Sequence, residues 1–310
     1  MSAVAASEPV EPAPAPAPAG APARLFSCTP TRLTTWVDCP RRYRFTYLQR
    51  PTPPKGPPWA HNSFGASVHA ALARWWSLPL PRRTAAAGGD LLVAGWLTDG
   101  YRDEAQSTRW RDRARAMVTG YLGGIDPSAE PAGVERTVAA RTPRLALSGR
   151  VDRIDRCDTP AGEQLVIVDY KTGRWVPDTH DVRGSLALAV YAVAASRVLR
   201  APARRVALHH LPSGQVVEHE HTDVALARHL DRAERLGAEA AAAEQGWRTG
   251  LAEAPAAAAD ERFPPRPGPL CGWCDFRRHC PQGRAAAPDR EPWAGLADDP
   301  ASEATTRLGE

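Results

Sequence analysis

Asp169 and Lys171 stand one residue apart at the end of the apolar run LVIVDYK, residues 165–171. On a β-strand, side chains two positions apart share a face. Seventeen positions upstream, Asp152 lies in GRVDRID, residues 149–155. Two carboxylates on neighbouring strands can converge on one divalent cation. Mg²⁺ typically takes one or two carboxylates and leaves its other positions to water and phosphate. The carbonyl of Tyr170, between acid and amine, could add an oxygen. An amine beside such a cation can orient a water and offset charge building on a phosphate. The choice of lysine is informative, because only Lys55 and Lys171 are lysines among 39 Lys and Arg. A guanidinium stays protonated and is bulkier, so arginine would serve less well there. Alone, an Asp-x-Lys triplet is more often a solvated ion pair at a strand end; Asp152 upstream makes the constellation specific. Asp155 should face away from Asp152 and pair with Arg153 or Arg156.

His69 sits in FGASVHAAL, four residues after Gly65 on one helical face. Its imidazole could complete the metal site, although an isolated helical histidine more often serves a core. Gly65 would let that helix approach another backbone. Glu135 reads as a solvent-facing strand residue rather than an outer-shell acid. His209 and His210, on a strand beside a turn, read as structural.

A second constellation is Cys271, Cys274 and Cys280, with Trp273 and Phe276 inside it and Pro281 after it. Three close cysteines need a fourth ligand for a tetrahedral zinc or a cubane cluster. Cys39, in VDCPRRYRF, is the best candidate and would staple the two ends of the body. Cys28 competes for that place, and Cys157 reads as an ordinary small residue. The spacing alone does not separate zinc from iron–sulfur.

The elements that must position these residues run α, β, α, then cysteines. Thr29-Pro30 starts a helix well, with an N-cap hydroxyl and proline at the first helical position. That helix is expected to reach Leu48, with Arg41, Arg42 and Arg44 as candidate phosphate contacts. Further helices are expected over 63–77 and 99–122. Residues 133–141 and 144–156 alternate as a hairpin turning at Thr-Pro. Residues 164–170 form a continuous apolar run, as in a strand buried on both faces. A helix over 183–199, a hairpin turning at Ser213-Gly214 and an Ala-rich helix over 223–247 follow. Residues 1–23 form a Pro/Ala-rich disordered leader, 24–284 one domain, and 285–310 a disordered tail.

The chain has 310 residues, 43% hydrophobic and 24% charged, ordinary values for a globular protein. No window approaches the roughly 18 apolar residues of a membrane span, and the N-terminus lacks the basic and apolar regions of a secretory signal. The expectation is a cytoplasmic protein without a membrane partner, in which six cysteines argue for metal or redox chemistry. Net charge is +4. Glu8 and Glu11 lie in 1–23, and six acids face two arginines in 285–310, leaving +10 on residues 24–284. A basic body suits a polyanion such as nucleic acid, though arginine bias alone would also produce it.

Together, GxxxH (65–69), GRVDRID (149–155) and VDYKTG (168–173), framed by Cys39 and C-x2-C-x5-C, resemble RecB-type nucleases of the PD-(D/E)XK superfamily. The likeness is greatest to their four-cysteine iron–sulfur members, the AddB-type and CRISPR-associated exonucleases. It implies a restriction-endonuclease-like α/β core, a mixed central sheet flanked by helices. It implies that His69, Asp152, Asp169 and the Tyr170 carbonyl bind Mg²⁺ or Mn²⁺, and that Lys171 is the catalytic lysine. It also implies that Cys39, Cys271, Cys274 and Cys280 hold a [4Fe–4S] cluster. The activity implied is exonucleolytic hydrolysis of DNA, in repair or recombination. One departure is visible. Tyr191 is present, but Ala187 stands where the family often has a substrate-positioning Gln. No G-x4-GK[ST] motor motif occurs, which implies a stand-alone nuclease or one served by a separate helicase or repair partner. The rival readings are a catalytically weak, cluster-containing DNA-binding or assembly protein and a zinc-stapled hydrolase of small phosphates.

Overall fold

The computed structural model describes residues 25–160, 162–250 and 256–296. The expected leader over 1–23 and residues 297–310 lie outside the described residues. β1 (Phe26–Cys28) leads into α1 (Pro30–Asp38), where the Thr29 hydroxyl accepts from the Arg32 N–H at 3.1 Å. The helix expected to reach Leu48 breaks at Cys39, which is extended at φ −165°, ψ 110°. Its neighbour Pro40 disfavours the helical region for the residue before it. The chain resumes as α2 (Pro40–Tyr43) and a π-helical turn (Arg44–Leu48).

α3 (Ala60–Trp76) carries His69. α4 (Ala85–Ala94) was not expected, because Gly88 and Gly89 weaken its helical signal. Those glycines let α4 lie close on α5 (Glu104–Gly123): a Cβ on Gly88 would stand 2.1 Å from Leu122 Cδ1. α5 starts later than expected, where the Asp103 carboxylate caps the Gln106 N–H at 2.6 Å.

β2 (Gly133–Arg141) and β3 (Leu145–Thr159) form the expected hairpin, and β4 (Gly162–Lys171) returns antiparallel to β3. Next come α6 (Thr179–Gly184) and α7 (Leu186–Leu199), split at Ser185, whose hydroxyl caps α7. β5 (Arg205–His210), β6 (Gln215–Glu220), α8 (Asp223–Gly250), α9 (Ala256–Arg262) and α10 (Pro281–Ala286) complete the order.

Among the described residues the sheet has six strands, ordered β1-β3-β4-β5-β6 with β2 also on β3. β1–β3 and β4–β5 pair in parallel and the rest antiparallel. This is a mixed sheet flanked by helices, as a restriction-endonuclease-like fold requires. Alternation along β4 divides the core. Val166, Val168 and Tyr170 pack with Phe64, Val68 and Trp75 of α3. Leu165 and Ile167 pack with Leu188, Ala189 and Ala192 of α7. Each such apolar side chain contributes on the order of 2 kcal/mol when fully buried.

β3 is forked. Residues 145–147 pair with β1 and 153–159 with β4, while β2 runs along the opposite edge. Residues 148–152 therefore have no strand on the β1/β4 edge. Residues 285–296, expected to belong to a disordered tail, pack instead on the core: Leu296 is buried beside α3 and α5, and its carbonyl accepts from Gln106 Nε2 at 3.2 Å. Pro/Ala-rich composition concealed this, because single anchors such as Leu296 and Trp293 carry the contact.

Candidate metal centre and cysteine pocket

The fork in β3 builds the acidic site. The β3–β4 ladder ends at Arg153 opposite Val168. Beyond it the Tyr170 N–H, left without a strand partner there, donates to Asp152 Oδ2 at 2.9 Å. The other Asp152 oxygen lies 3.3 Å from His69 Nδ1, which α3 delivers to the gap. On the opposite edge the ladder pairs Val134 with Arg153 and Arg136 with Val151, so Glu135 lies between. Glu135 adopts φ +47°, a left-handed conformation that costs on the order of 1–3 kcal/mol in a non-glycine residue. That backbone turns its carboxylate inward, where it meets Arg150 Nε at 2.8 Å. Ligand atoms of His69, Glu135 and Asp152 all lie within 4.8 Å of one another. Glu135 is thus a wall of the site, not the solvent-facing residue expected. The only sequence signal for it was an acid on the strand expected to pair with the one that carries Asp152.

Asp169 and Lys171 share a face, as strand alternation predicts, with Lys171 Nζ 2.6 Å from Asp169 Oδ2. Asp169 stands outside the His69–Glu135–Asp152 trio. Its Oδ2 is buried and has no partner of hydrogen-bond geometry. Burial raises the proton affinity of Asp169, Lys171 opposes this, and Asp152 adds to it. Glu135 is likewise raised, first by burial and then by Asp152, against Arg150 and His69. For His69, burial disfavours the charged form, but Asp152, Asp169 and Glu135 outweigh it and raise its proton affinity. Crowded carboxylates with raised proton affinity are what a divalent cation would relieve. The residues present therefore fit Mg²⁺ or Mn²⁺.

Tyr170 gives its backbone to the site, while its hydroxyl accepts from Arg153 Nη1 at 3.0 Å. Arg153 is buried and also holds Asp155 at 2.8 Å, which keeps Asp155 out of the site. His210 Nε2 donates to the Gly173 carbonyl at 2.7 Å, and the Leu211 N–H bonds the Lys171 carbonyl at 2.9 Å. These contacts fix the loop after Lys171. A Cβ on Gly65 would lie 3.3 Å from Thr172 Oγ1, so Gly65 makes room for this loop's side chain rather than for backbone.

Three clefts meet here. One of about 740 Å³ is lined by His69, Glu135, Asp152, Arg150 and Tyr191. Another, about 830 Å³, opens beside Lys171 and shares Gly65 with the first. A third, about 570 Å³, is lined by Asp169, Lys171, Trp175 and Ala187. Tyr191 packs against Gly149, where a Cβ would stand 2.3 Å from Tyr191 Cε1. Burial, with Asp169 and Asp152 nearby, pushes its hydroxyl up to about 12. Arg41 and Arg44 do not reach these clefts as phosphate contacts. Both are buried and pair with Asp260 at 3.2 Å, and Arg41 also bonds Gln282. Arg42 remains half-buried beside the cysteines.

Cys39, Cys271, Cys274 and Cys280 line one cavity of about 150 Å³, walled by Phe45 and Phe276. The Pro40-induced break presents Cys39. Cys280 caps α10, accepting from the Gly283 N–H at 3.4 Å, and Arg41 Nη1 donates to the same sulfur at 3.6 Å. A Cβ on Gly283 would lie 3.4 Å from Cys280 Sγ and 3.6 Å from Cys271 Sγ, so both sulfurs face this glycine. Burial raises the Cys274 thiol, and neighbouring Cys39 adds to this. Cys28 instead packs in the core with Leu33, Leu145 and Val190, and burial pushes its thiol up to about 11. Among the described residues no three cysteines bring their sulfurs within 4.8 Å. Four thiols lining one cavity are a donor set that either a zinc or an iron–sulfur core takes.

The family model of the PD-(D/E)XK nuclease superfamily matches residues 27–281, a span that contains every residue of both centres. No curated protein matches the chain. No helix among the described residues is long and apolar enough to cross a membrane.

Proposed function

We propose that this chain, which belongs to the PD-(D/E)XK nuclease superfamily, is a metal-dependent DNA exonuclease that hydrolyses phosphodiester bonds. The observation that carries the proposal is Lys171 Nζ, 2.6 Å from Asp169, beside the convergent His69, Glu135 and Asp152. In this reading His69, Asp152, Asp169 and the Tyr170 carbonyl hold Mg²⁺ or Mn²⁺, with Glu135 as a further acid. The bound cation supplies a Lewis acid to the phosphate. Asp152 stays fixed by the Tyr170 N–H, so its free oxygen keeps one direction. Lys171 orients the attacking water and offsets charge developing on the phosphate. The basic body favours a polyanionic substrate.

Cys39, Cys271, Cys274 and Cys280 hold a [4Fe–4S] cluster in this proposal, with structural Zn²⁺ as the alternative. The likeness of the motifs to four-cysteine iron–sulfur nucleases favours the cluster. The exonucleolytic mode, a role in repair and a separate helicase partner rest on the RecB-type resemblance of the motifs. One observation favours a second reading, a catalytically weak DNA-binding protein: Ala187 lines the cleft beside Lys171 without an amide to offer a substrate.

End-labelled linear DNA and closed circular DNA, incubated with Mg²⁺, Mn²⁺ or EDTA, test the proposal. The expected result is metal-dependent shortening of the linear DNA with the circle intact. Cutting of both would make the protein an endonuclease, and cutting of neither would leave the binding-protein reading.

A further inference from the structure

Trp175 lies four residues past Lys171 and is 75% exposed, the most exposed large apolar side chain among the described residues. An indole this open would ordinarily fold against apolar surface. Trp175 is held out instead. Its Nε1 donates to Asp181 Oδ2 at 3.2 Å. The same oxygen accepts from the Asp178 N–H at 2.9 Å, and Asp178 Oδ1 accepts in return from the Asp181 N–H at 2.9 Å. On the other side of the loop, His210 fixes the Gly173 carbonyl. The indole is thus held by its Nε1 edge on a loop fixed upstream, with most of the ring's surface open.

Its place gives the open face a meaning. Trp175 lines the cleft of about 570 Å³ that also holds Asp169 and Lys171. Through Lys171 and Gly173 this cleft joins the one of about 830 Å³, whose wall carries Trp110, Trp273, His61 and Arg113. The Arg113 guanidinium lies 4.9 Å over the Trp110 ring. Aromatic planes on both sides of Lys171, with Arg113 among them on one side, suit unpaired bases and the backbone that links them. Inside a duplex, base faces are already covered by their neighbours, so a lone indole at the cleft has no open face to stack on.

We propose that Trp175 is a stacking platform for an unpaired nucleobase next to the phosphate held at Lys171, so that the preferred substrate is a single-stranded DNA end. The inference rests on the nuclease reading and adds the substrate's strandedness and a specificity-determining residue. Trp175 binds and positions; it exchanges no proton and touches no reacting atom.

The test uses the full chain as Trp175→Ala and Trp175→Phe, with single-stranded and blunt duplex oligonucleotides and with single strands carrying one abasic site at successive positions. Trp175→Ala should raise KM for the single strand roughly five- to hundredfold, the range expected for one stacked base, with a smaller change in kcat. Trp175→Phe should recover most of the loss, and duplex cleavage should change little in either variant. In the wild type, one abasic position should raise KM comparably, and Trp175→Ala should be insensitive at that position. That DNA-side scan leaves the protein untouched, so it stands even if a variant folds poorly. A single-strand KM within about twofold of wild type in Trp175→Ala, or no sensitive abasic position, would overturn the platform; an indole serving a protein partner would give this result. If the wild type cuts nothing, the nuclease reading fails, and fluorescence anisotropy with the same oligonucleotides still decides the platform by whether Trp175→Ala weakens single-strand binding.

Discussion

The backbone N–H of Tyr170 donates to Asp152 Oδ2 across 2.9 Å, at the point where β4 leaves β3. Asp152 therefore has two jobs, closing the strand fork and facing the cation. Asp152→Asn keeps an acceptor for Tyr170 and should fold normally while losing at least about a hundredfold in cleavage. Asp152→Ala should also lose about 1–3 kcal/mol of stability, because it orphans a half-buried N–H. Urea unfolding beside cleavage assays separates the two effects. DNA binding by Asp152→Asn should equal or exceed the wild type, since an acid facing phosphate is gone, and should weaken steeply with salt as counterions are released.

Glu135 sits at φ +47° opposite Asp152. Backbone strain at a residue whose carboxylate joins a potential metal site is a cost to stability that function would explain. Glu135→Ala and Glu135→Gly should both lower Mn²⁺ affinity by at least about tenfold in a binding titration. The glycine variant should be more stable than the alanine variant by about 1 kcal/mol, because glycine enters the left-handed region without a Cβ penalty. Unchanged Mn²⁺ affinity in both would remove Glu135 from the site.

His221 is buried, with both ring nitrogens lacking a hydrogen-bond partner and the rings of His219 and His229 edge-on to it at 4.7 and 5.3 Å. Burial, with the two neighbouring imidazoles, lowers its pKa to about 4. The folded value lies below the unfolded value of about 6.5, so the unfolded chain takes up the proton first. The stability this contributes is present above about pH 6.5 and is lost as pH falls from there toward 4. Its size is on the order of 2 kcal/mol. His209, lowered to about 4 by burial and Arg153, adds in the same direction. Urea midpoints near pH 7.5 and pH 5 should fall accordingly. His221→Phe should show a smaller fall, whereas an equal fall would place the acid sensitivity elsewhere.

Cys39 and Cys271 lie 232 positions apart and line one cavity. A shared centre would close a loop around most of the core, where restricting the unfolded chain has its largest effect. Protein purified without oxygen should be brown, with about four irons and four sulfides per chain. Cys39→Ala should lose colour and solubility together. Cys28→Ala should keep the colour while losing about 1–2 kcal/mol from the core, and Cys157→Ala should keep both colour and solubility. A colourless preparation with one zinc would keep the staple and reject the cluster.

The placements that are written locally were legible in the sequence. Asp169 and Lys171 follow from strand alternation, Asp155 from its step past Asp152, and the start of α1 from Thr29-Pro30. What depended on distant partners was hidden. Glu135 needed both a left-handed φ and the β2–β3 register to reach the site. α4 was masked by Gly88 and Gly89, whose value is close packing on α5. Arg41 and Arg44 looked like phosphate contacts because charge in a sequence carries no burial, and Asp260, over two hundred positions away, claims them. The break at Cys39 was signalled by Pro40, yet the apolar periodicity around it suggested one continuous helix.

The most direct test of the central claim is single-turnover cleavage by Lys171→Ala, measured with saturating protein beside DNA affinity for the same substrate. If Lys171 acts on the attacking water and the developing charge, the cleavage rate should fall by roughly 10²- to 10⁴-fold while the DNA Kd stays within about threefold of wild type. A variant that cuts as fast as the wild type, or one that loses rate only in proportion to lost binding, would contradict the assignment of Lys171 and of the site built around it.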